Sequence, residues 1–310
     1  MAASFLGIEI GGTKLQLVLG DESARILERR RLTVRPDEGG AGIRQQIERT
    51  LPELLAPVRP GAIGVGFGGP VDWQTGMICC SHQVEGWSEF ALGEWLKNLS
   101  GLPVFIDNDA NVAALGEARH GAGVGFNPVF YVTLGSGVGG GLVVNGRIYH
   151  GAKPGEAEIG HVLLDRAGTI VESRCSGWAV DRKIRELKAR DSSSLLSKLV
   201  GEKIGGEARF LAEALRQNDA AAMQILSETA TDLAFGLSHV IQLMHPEVIV
   251  LGGGLALLGE PLRSAVAHAL PPFVMEAFHP GPVIRLTALG EDAVPTGALA
   301  LARELHVRRA

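Results

Sequence analysis

The chain contains the same unusual element twice: an apolar strand that enters a glycine turn and leaves it as a second apolar strand. The first copy runs from Phe5 to Leu19 with Gly11 and Gly12 at the turn, and the second runs from Val129 to Val144 with five glycines in its turn. Each copy has the pattern of a β-hairpin and opens a half of similar length. We therefore expect an internally duplicated architecture of two lobes, with ligands bound in the cleft between them.

Helical and strand patterns alternate along the rest of the chain, as in α/β folds. Helical spacing covers Ile43 to Leu55, and a short apolar strand at Val104 to Ile106 precedes good helix formers at Ala110 to Arg119. With 310 residues, 46% of them hydrophobic, the chain suits two globular lobes. We expect a smaller lobe of residues 1–119 completed by about 295–310, and a larger lobe of residues 120–294.

Charge and cysteine content narrow the classes of function. The formal net charge is −5, and the only basic cluster, Arg29 to Arg31, is too small to follow a nucleic-acid backbone. Three cysteines give no disulfide framework. The first residues, MAASFLGIEIGGTK, lack the basic region of a signal peptide and the apolar length of a membrane anchor. These features predict a cytoplasmic protein with no nucleic-acid or membrane partner.

The two glycine turns are candidate phosphate-binding loops. Glycine lets a backbone approach a phosphate closely, and nearby N–H and hydroxyl groups can bind its oxygens. The first loop, GGTK, matches neither the P-loop nor the dinucleotide pattern, and an ordinary tight turn explains it when it is taken alone. The second loop, TLGSGVGGG at Thr133 to Gly141, contains more glycine than a chain reversal requires. Together the loops predict two walls of a phosphate site.

Three polar residues, Asp107, Asn108 and Asp109, stand between a predicted strand and a predicted helix. Ligands bind at the strand ends of α/β sheets. A carboxylate there can accept the proton of a sugar hydroxyl as the oxygen attacks phosphorus. Capping of the helix by one aspartate is the structural alternative. Because a cap does not account for all three residues, a functional role is favoured.

A second polar group lies in the segment PGEAEIGHVLLD, where Glu156, Glu158 and His161 stand beside two glycines. Carboxylates and a neutral imidazole can fix sugar hydroxyls through paired hydrogen bonds. A purely structural histidine is the common alternative. A closed zinc site needs four ligands, and only Cys175 lies nearby in the sequence, so zinc is disfavoured.

In this order along the chain, the motifs GIEIGGTK, IDNDANVAALGEA, YVTLGSGVGGG, GEAEIGH and VIVLGGG resemble those of the ROK family of bacterial sugar kinases, repressors and open-reading-frame proteins. The resemblance covers nearly the whole chain. It implies an α/β fold of the two-lobed, actin-like ATPase type (ribonuclease H-like), with a duplicated βββαβα-type core. It also implies ATP and Mg²⁺ as cofactors and a homodimer as the assembly.

The resemblance also implies site residues, position by position. Asp109 matches the catalytic base of the family. The residues that match sugar contacts are Gly69, Asn108, Asp109, Glu158, His161 and Glu172. The residues that match ATP or phosphate contacts are Gly11, Gly12, Thr13, Lys14, Gly135, Ser136, Gly137, Gly139, Gly252, Gly253 and Gly254.

Three departures from the family pattern bear on the site. The zinc-binding cysteine cluster, CxCGxxGC, is replaced by the shorter RAGTIVES, so no zinc site is expected, and packing and hydrogen bonds must order Glu172. Glu9 replaces the commoner aspartate before the first glycines, where it could still reach magnesium-bound water. Gln83 stands near the position at which many members place a sugar-contacting asparagine, so the choice of sugar could shift with it.

These matches predict an ATP-dependent hexose kinase. Glucose is the preferred sugar, because the retained polar residues can satisfy an all-equatorial ring of hydroxyls. Fructose, mannose or an N-acetylhexosamine such as N-acetylmannosamine is the alternative acceptor, and polyphosphate is the alternative donor. A sugar-sensing protein without turnover is the alternative from another class. A DNA-binding regulator is disfavoured, because the first hairpin begins too early to leave room for the family's winged helix-turn-helix.

Overall fold

The structure is a computed structural model that describes residues 3–81, 84–155 and 157–307, apart from the side chain at position 305. Two five-stranded sheets carry the fold. The strands are β1 (Ser4–Ile10), β2 (Lys14–Asp21), β3 (Ile26–Thr33), β4 (Ile63–Phe67), β5 (Val71–Asp72), β6 (Met77–Ile78), β7 (Val104–Asn108), β8 (Val129–Leu134), β9 (Val138–Val144), β10 (Arg147–Ile148), β11 (Val248–Gly252) and β12 (Val283–Leu286). The α-helices are α1 (Gly39–Leu55), α2 (Leu92–Ser100), α3 (Asp109–His120), α4 (Val171–Cys175), α5 (Gly177–Arg190), α6 (Leu195–Val200), α7 (Leu211–Arg216), α8 (Ala220–Met244), α9 (Glu260–Ala269) and α10 (Ala293–Val307).

The two sheets repeat one topology. The first has the strand order β3-β2-β1-β4-β7 and the second β10-β9-β8-β11-β12. In the first sheet an antiparallel meander of β1, β2 and β3 adjoins β4 and β7, which run parallel to β1. In the second sheet β11 is parallel to both β8 and β12, and β10 pairs antiparallel with β9. In each half, helical segments separate the first three strands of the sheet from the fourth, and the fourth from the fifth, so the predicted duplication of the core is confirmed.

The chain forms two compact units. The first consists of the described residues within Met1–Gly125, Gly141–Ala157 and Ala288–Ala310, and the second of those within Phe126–Gly140 and Glu158–Thr287. The lobe limits given in the sequence analysis differ from this division and stay a prediction.

Both faces of the first sheet are covered by helices in the first unit. One face packs on α1 and α2 in a cluster that includes Ile8, Leu51 and Leu96. The other face packs on α3 and α10 in a cluster that includes Val18 and Leu115. Each fully buried aliphatic side chain contributes about 1.5–3 kcal/mol. The strands therefore end in a rigid layer, and the residues that follow them start from fixed positions.

In the second unit, β11 is buried along its whole length and β8 along nearly all of it, as parallel strands covered on both faces are. The 25-residue helix α8 packs against α4, α5 and α9. Within the described ranges, none of the helices has both the length and the hydropathy that a membrane crossing requires.

Candidate active site

Three parallel strands of the first unit end side by side. Ile10 of β1 lies opposite Phe67 of β4, and Phe67 lies opposite Asn108 of β7. The segments that follow these strands therefore meet at one edge of the sheet. Of the predicted site residues, this edge brings together Gly11, Gly12, Thr13, Lys14, Gly69, Asn108 and Asp109.

The backbone after β4 lies against the predicted base. The Gly68 N–H donates a hydrogen bond to the Ile10 carbonyl at 2.8 Å. A Cβ atom at position 68 would lie 3.4 Å from Oδ2 of Asp109, and one at position 69 would lie only 2.8 Å from the Cys80 carbonyl oxygen. Gly69 is therefore tightly enclosed, while the Asp109 carboxylate faces the glycine backbone of its own unit.

Asn108 caps α3. Its Oδ1 accepts hydrogen bonds from the N–H groups of Ala110 and Asn111, at 2.9 and 3.3 Å. Its Nδ2 donates to the Gly69 carbonyl at 3.3 Å. The structural alternative in the sequence was an aspartate cap, but the cap is the asparagine between the two aspartates. A cap of this kind stabilises a helix by about 1 kcal/mol, and here it also joins two predicted sugar contacts.

Glu9 lies on β1 just before the first glycine loop. Its Oε1 is 3.1 Å from the Lys14 Nζ, and its Oε2 accepts a hydrogen bond from the Gln16 Nε2 at 2.7 Å. Burial raises the pKa of the Glu9 carboxyl, while Lys14 and Gln16 lower it. The N–H of Gly11 donates to the Lys14 carbonyl at 2.9 Å and closes the loop. A half-buried carboxylate and an ammonium group therefore stand at the base of the predicted phosphate loop.

In the second unit, the turn between β8 and β9 carries Gly135, Ser136 and Gly137, and Gly139 follows in β9. The Gly135 N–H donates to the Gly137 carbonyl at 3.0 Å, and the Gly135 carbonyl accepts from the Gly177 N–H at 2.7 Å. No sequence motif indicated that Gly177, the first residue of α5, supports this loop.

The third glycine loop follows the neighbouring strand of the same sheet. Gly252, at the end of β11, lies opposite Thr133 of β8. Gly253 has a φ of +77°, and a Cβ atom there would lie 2.6 Å from the Leu134 backbone. Only glycine fits such a position, because both the dihedral and the space exclude a side chain. Within this unit the third loop, at Gly252 to Gly254, lies next to the loop that begins at Gly135.

Glu172 holds the loop between β8 and β9. Its Oε2 accepts a hydrogen bond from the Val138 N–H at 2.9 Å. A Cβ atom at position 137 would lie 2.5 Å from the same oxygen. The resemblance implies a sugar contact for Glu172, and the structure adds a contact with a predicted phosphate loop. The two residues are 34 positions apart, so no local pattern could have indicated the bond.

A tight hairpin stands in place of the family's cysteine cluster. Leu163 and Ile170 form an isolated antiparallel bridge, and the Val171 N–H donates to the Val162 carbonyl at 3.0 Å. At the tip, Asp165 accepts backbone hydrogen bonds, and the Thr169 hydroxyl and N–H contribute most to holding the pKa of its carboxyl below the ordinary value. The described residues include no group of three or more His, Cys, Asp or Glu side chains able to share a metal ion.

Glu158 precedes the short 3-10 helix Ile159–His161 of the second unit, and His161 is its last residue. Both are exposed, and the His161 N–H donates to the Glu158 carbonyl at 3.1 Å. Their exposed side chains present polar atoms to solvent. The remaining predicted sugar contact, Gln83, and the nearby Glu156 lie outside the described residues.

Comparison with known proteins places this site in a family. The sequence model of the ROK family matches residues 5–305. The glucokinase of Thermotoga maritima is 30% identical over 307 residues, which cover 96% of this chain and 97% of the relative. The glucokinase of Halalkalibacterium halodurans is 31% identical over 304 residues, which cover 93% and 92% of the two chains.

Two solved structures share the fold over nearly the full length. A ROK family glucokinase from Streptomyces griseus, in complex with glucose and AMPPNP, aligns with a TM-score of 0.85 and 28% identity, covering 97% of this chain and 100% of the other. The ROK hexokinase of Thermus thermophilus aligns with a TM-score of 0.80 and 29% identity, covering 99% and 100%. These structures confirm the predicted actin-like ATPase fold. From its motifs, its duplicated core and the match over residues 5–305, the chain belongs to the ROK family.

Proposed function

We propose that the protein is an ATP-dependent hexose kinase whose sugar is glucose. The observation that carries the proposal is the junction of β7 and α3, which holds Asp109 at the same sheet edge as the glycine loop that follows β1. Relatives about 30% identical over nearly the whole chain are glucokinases, and the similar Streptomyces griseus structure contains glucose and an ATP analogue. Both findings favour transfer of a phosphoryl group from ATP to glucose.

In the proposed reaction, Asp109 orients a glucose hydroxyl and accepts its proton. The hydroxyl oxygen forms a bond to the γ-phosphorus of ATP, and the bond between that phosphorus and the β,γ-bridging oxygen breaks, which releases ADP. Backbone N–H groups of the glycine loops stabilise negative charge on the phosphates. General base catalysis of this kind contributes about 10²- to 10⁴-fold to a rate.

Magnesium is part of the proposal. Mg²⁺ is held by one or two carboxylates, by waters and by substrate phosphates, and it neutralises the charge of the transferred group. Glu9 is the candidate for this role, because its carboxylate stands at the end of β1, just before the first phosphate loop, where Lys14 now pairs with it at 3.1 Å. In this proposal the Glu9 carboxylate would accept hydrogen bonds from water molecules bound to Mg²⁺.

The sugar is bound, in this proposal, by Gly69, Gln83, Asn108, Glu158, His161 and Glu172. In this proposal the hairpin between Leu163 and Ile170 takes the place of zinc in ordering Glu172, because its hydrogen bonds fix the start of α4. We also propose a homodimer, supported by the family resemblance alone, and a cytoplasmic location, supported by a cysteine content that gives no disulfide framework.

The test is ADP release from the purified protein with Mg-ATP against glucose, fructose, mannose, N-acetylglucosamine and N-acetylmannosamine. We expect glucose to give the highest kcat/KM, and Asp109→Asn to reduce kcat by about 10²- to 10⁴-fold. Asp37→Asn, at an exposed position, is the matched control and should retain full activity. A folded protein that binds glucose and ATP without releasing ADP would instead be a sugar sensor.

A further inference from the structure

Asp107, the residue before the proposed sugar contact Asn108, is the centre of a buried hydrogen-bond network. Its side chain is only 5% exposed. Oδ1 accepts hydrogen bonds from the Asn108 N–H and from the Asn111 Nδ2, both at 2.9 Å. Oδ2 lies 2.6 Å from the Nε2 of His150. The carboxylate therefore contacts residues that precede and follow the proposed base, Asp109, in the chain.

The His150 ring is held on a second side by Trp73. The two rings stack with their centroids 4.2 Å apart and an interplanar angle of 14°. Beside them, the Lys153 Nζ lies 2.9 Å from Oδ1 of Asp72. The segment that begins at His150 is thus fastened to Asp72 of β5 by an ion pair and to the following residue, Trp73, by a ring stack, and Nε2 of His150 points at Asp107.

Asn111 extends the network to the other end of the same segment. Its Nδ2 donates to Oδ1 of Asp107 and to the Gly155 carbonyl, both at 2.9 Å. A flipped amide would place its oxygen against two acceptors, so this orientation is favoured, although the buried Oδ1 of Asn111 has no hydrogen-bond partner among the described residues. The network therefore joins three parts of the first unit: the end of β7, the first turn of α3 and the segment from His150 to Gly155.

A buried carboxylate is a costly way to stabilise a fold. Its desolvation amounts to several kcal/mol, and apolar residues of similar volume often do as well or better. Here the hydrogen bonds of Asp107 go to Asn108, directly before Asp109, and to Asn111, two positions after it. Such placement has a use in catalysis, because an error of about 1 Å in the position of a reacting group can lower a rate about 10²-fold.

We propose that His150 is a positioning residue for the reaction. Through its bond to Asp107 it fixes the backbone that carries Asp109, and Trp73 holds the imidazole ring for this task. In this bond the Nε2–H of His150 donates and Oδ2 of Asp107 accepts. The inference rests on the proposed role of Asp109 as the base.

The test compares His150→Ala with His150→Gln, because the glutamine Nε2 can take the place of the imidazole Nε2. We expect His150→Ala to lower kcat about 10- to 100-fold, as the loss of a supporting partner typically does, and to leave the Kd of ATP within about 2-fold. His150→Gln should stay within about 3-fold of the wild-type kcat. Imidazole added to His150→Ala should restore part of the lost kcat, because the site reaches solvent.

Further variants separate positioning from stability. Trp73→Ala should lower kcat more than Trp73→Phe, which keeps a ring for stacking. His268→Ala, at an exposed position of α9, is the matched control. All rates are measured per mole of folded protein, well below the melting temperature of each variant. A merely structural role predicts a lower melting temperature with kcat unchanged.

The outcomes distinguish this inference from the proposed function. If Asp109→Asn abolishes turnover but His150→Ala has wild-type kcat, positioning by His150 is wrong and the kinase proposal stands. If His150→Gln is as impaired as His150→Ala, the bond to Asp107 is not what matters, and the inference also fails. If Asp109→Asn keeps full turnover, the assignment of the base is wrong, whatever the His150 variants show.

Discussion

The contact between Glu172 and Val138 makes a prediction about nucleotide binding. If this carboxylate orders the loop between β8 and β9, its loss must weaken the affinity for ATP. Oε2 of the Glu172 carboxylate accepts the Val138 N–H at 2.9 Å, which is a charge-assisted hydrogen bond. Hydrogen bonds to charged groups contribute about 1.5–3 kcal/mol, which corresponds to a rise in the Kd of ATP of about 10- to 150-fold in Glu172→Ala.

Glu172→Gln provides a graded version of the same change. The amide oxygen can still accept the Val138 N–H, but a neutral acceptor forms a bond about half as strong. The loss is then about 0.7–1.5 kcal/mol, and the Kd should rise about 3- to 13-fold. Isothermal titration calorimetry with AMPPNP, in the absence of sugar, measures both values. Glu202→Ala is the control, because its side chain is fully exposed.

The refuting result is a nucleotide Kd that stays at the wild-type value in both Glu172 variants. If glucose affinity fell at the same time, Glu172 would be a sugar contact only, and its bond to Val138 would have no bearing on the nucleotide.

Three further predictions concern stability and reactivity. Burial raises the pKa of Glu9, so the folded state binds this proton more tightly than the unfolded chain, and the stability that this gives is lost as pH rises through the raised pKa. As pH rises from about 4.5, the ordinary pKa of a glutamate, to neutral pH, Glu9→Gln should therefore lose less unfolding free energy than the wild type. Urea titrations at several pH values measure this, and an equal loss in both proteins would contradict it. Burial also raises the pKa of the Cys175 thiol to about 12. Iodoacetamide at about pH 8 should therefore modify the exposed Cys79 and spare Cys175. Peptide mass spectrometry measures the labelling, and equal labelling of both cysteines would contradict the prediction. Glu117 is fully buried and accepts hydrogen bonds from the N–H groups of Ala122 at 2.7 Å and Leu289 at 3.0 Å. Glu117→Gln should therefore lower the free energy of unfolding by about 2 kcal/mol or more, as urea titrations would measure. A change below about 0.5 kcal/mol would contradict this role of the carboxylate.

The sequence was informative wherever structure depends on neighbouring residues. The glycine hairpins, the strand before Asp107 and the helix after it are local patterns, and their order along the chain predicted the duplicated core. The hairpin that replaces the cysteine cluster also had a local signal, because Asp165 and Gly168 occupy the first and fourth positions of a common turn.

Long-range polar contacts could not be read in this way. The bond between His150 and Asp107 joins residues 43 positions apart, and the one from Glu172 to Val138 spans 34. Nothing in their local sequence distinguishes such pairs from solvated side chains. The choice of Asn108 as the cap was equally open, since aspartate and asparagine cap helices about equally well.

The most direct test of the kinase assignment is to follow the phosphorus atoms. Purified protein, Mg-ATP and glucose are incubated and monitored by ³¹P NMR, with Asp109→Asn in parallel. A sugar kinase produces one glucose phosphate for each ADP, and the variant leaves ATP intact over the same period. Inorganic phosphate in place of glucose phosphate, or unchanged ATP although the wild-type protein binds glucose, would contradict the assignment.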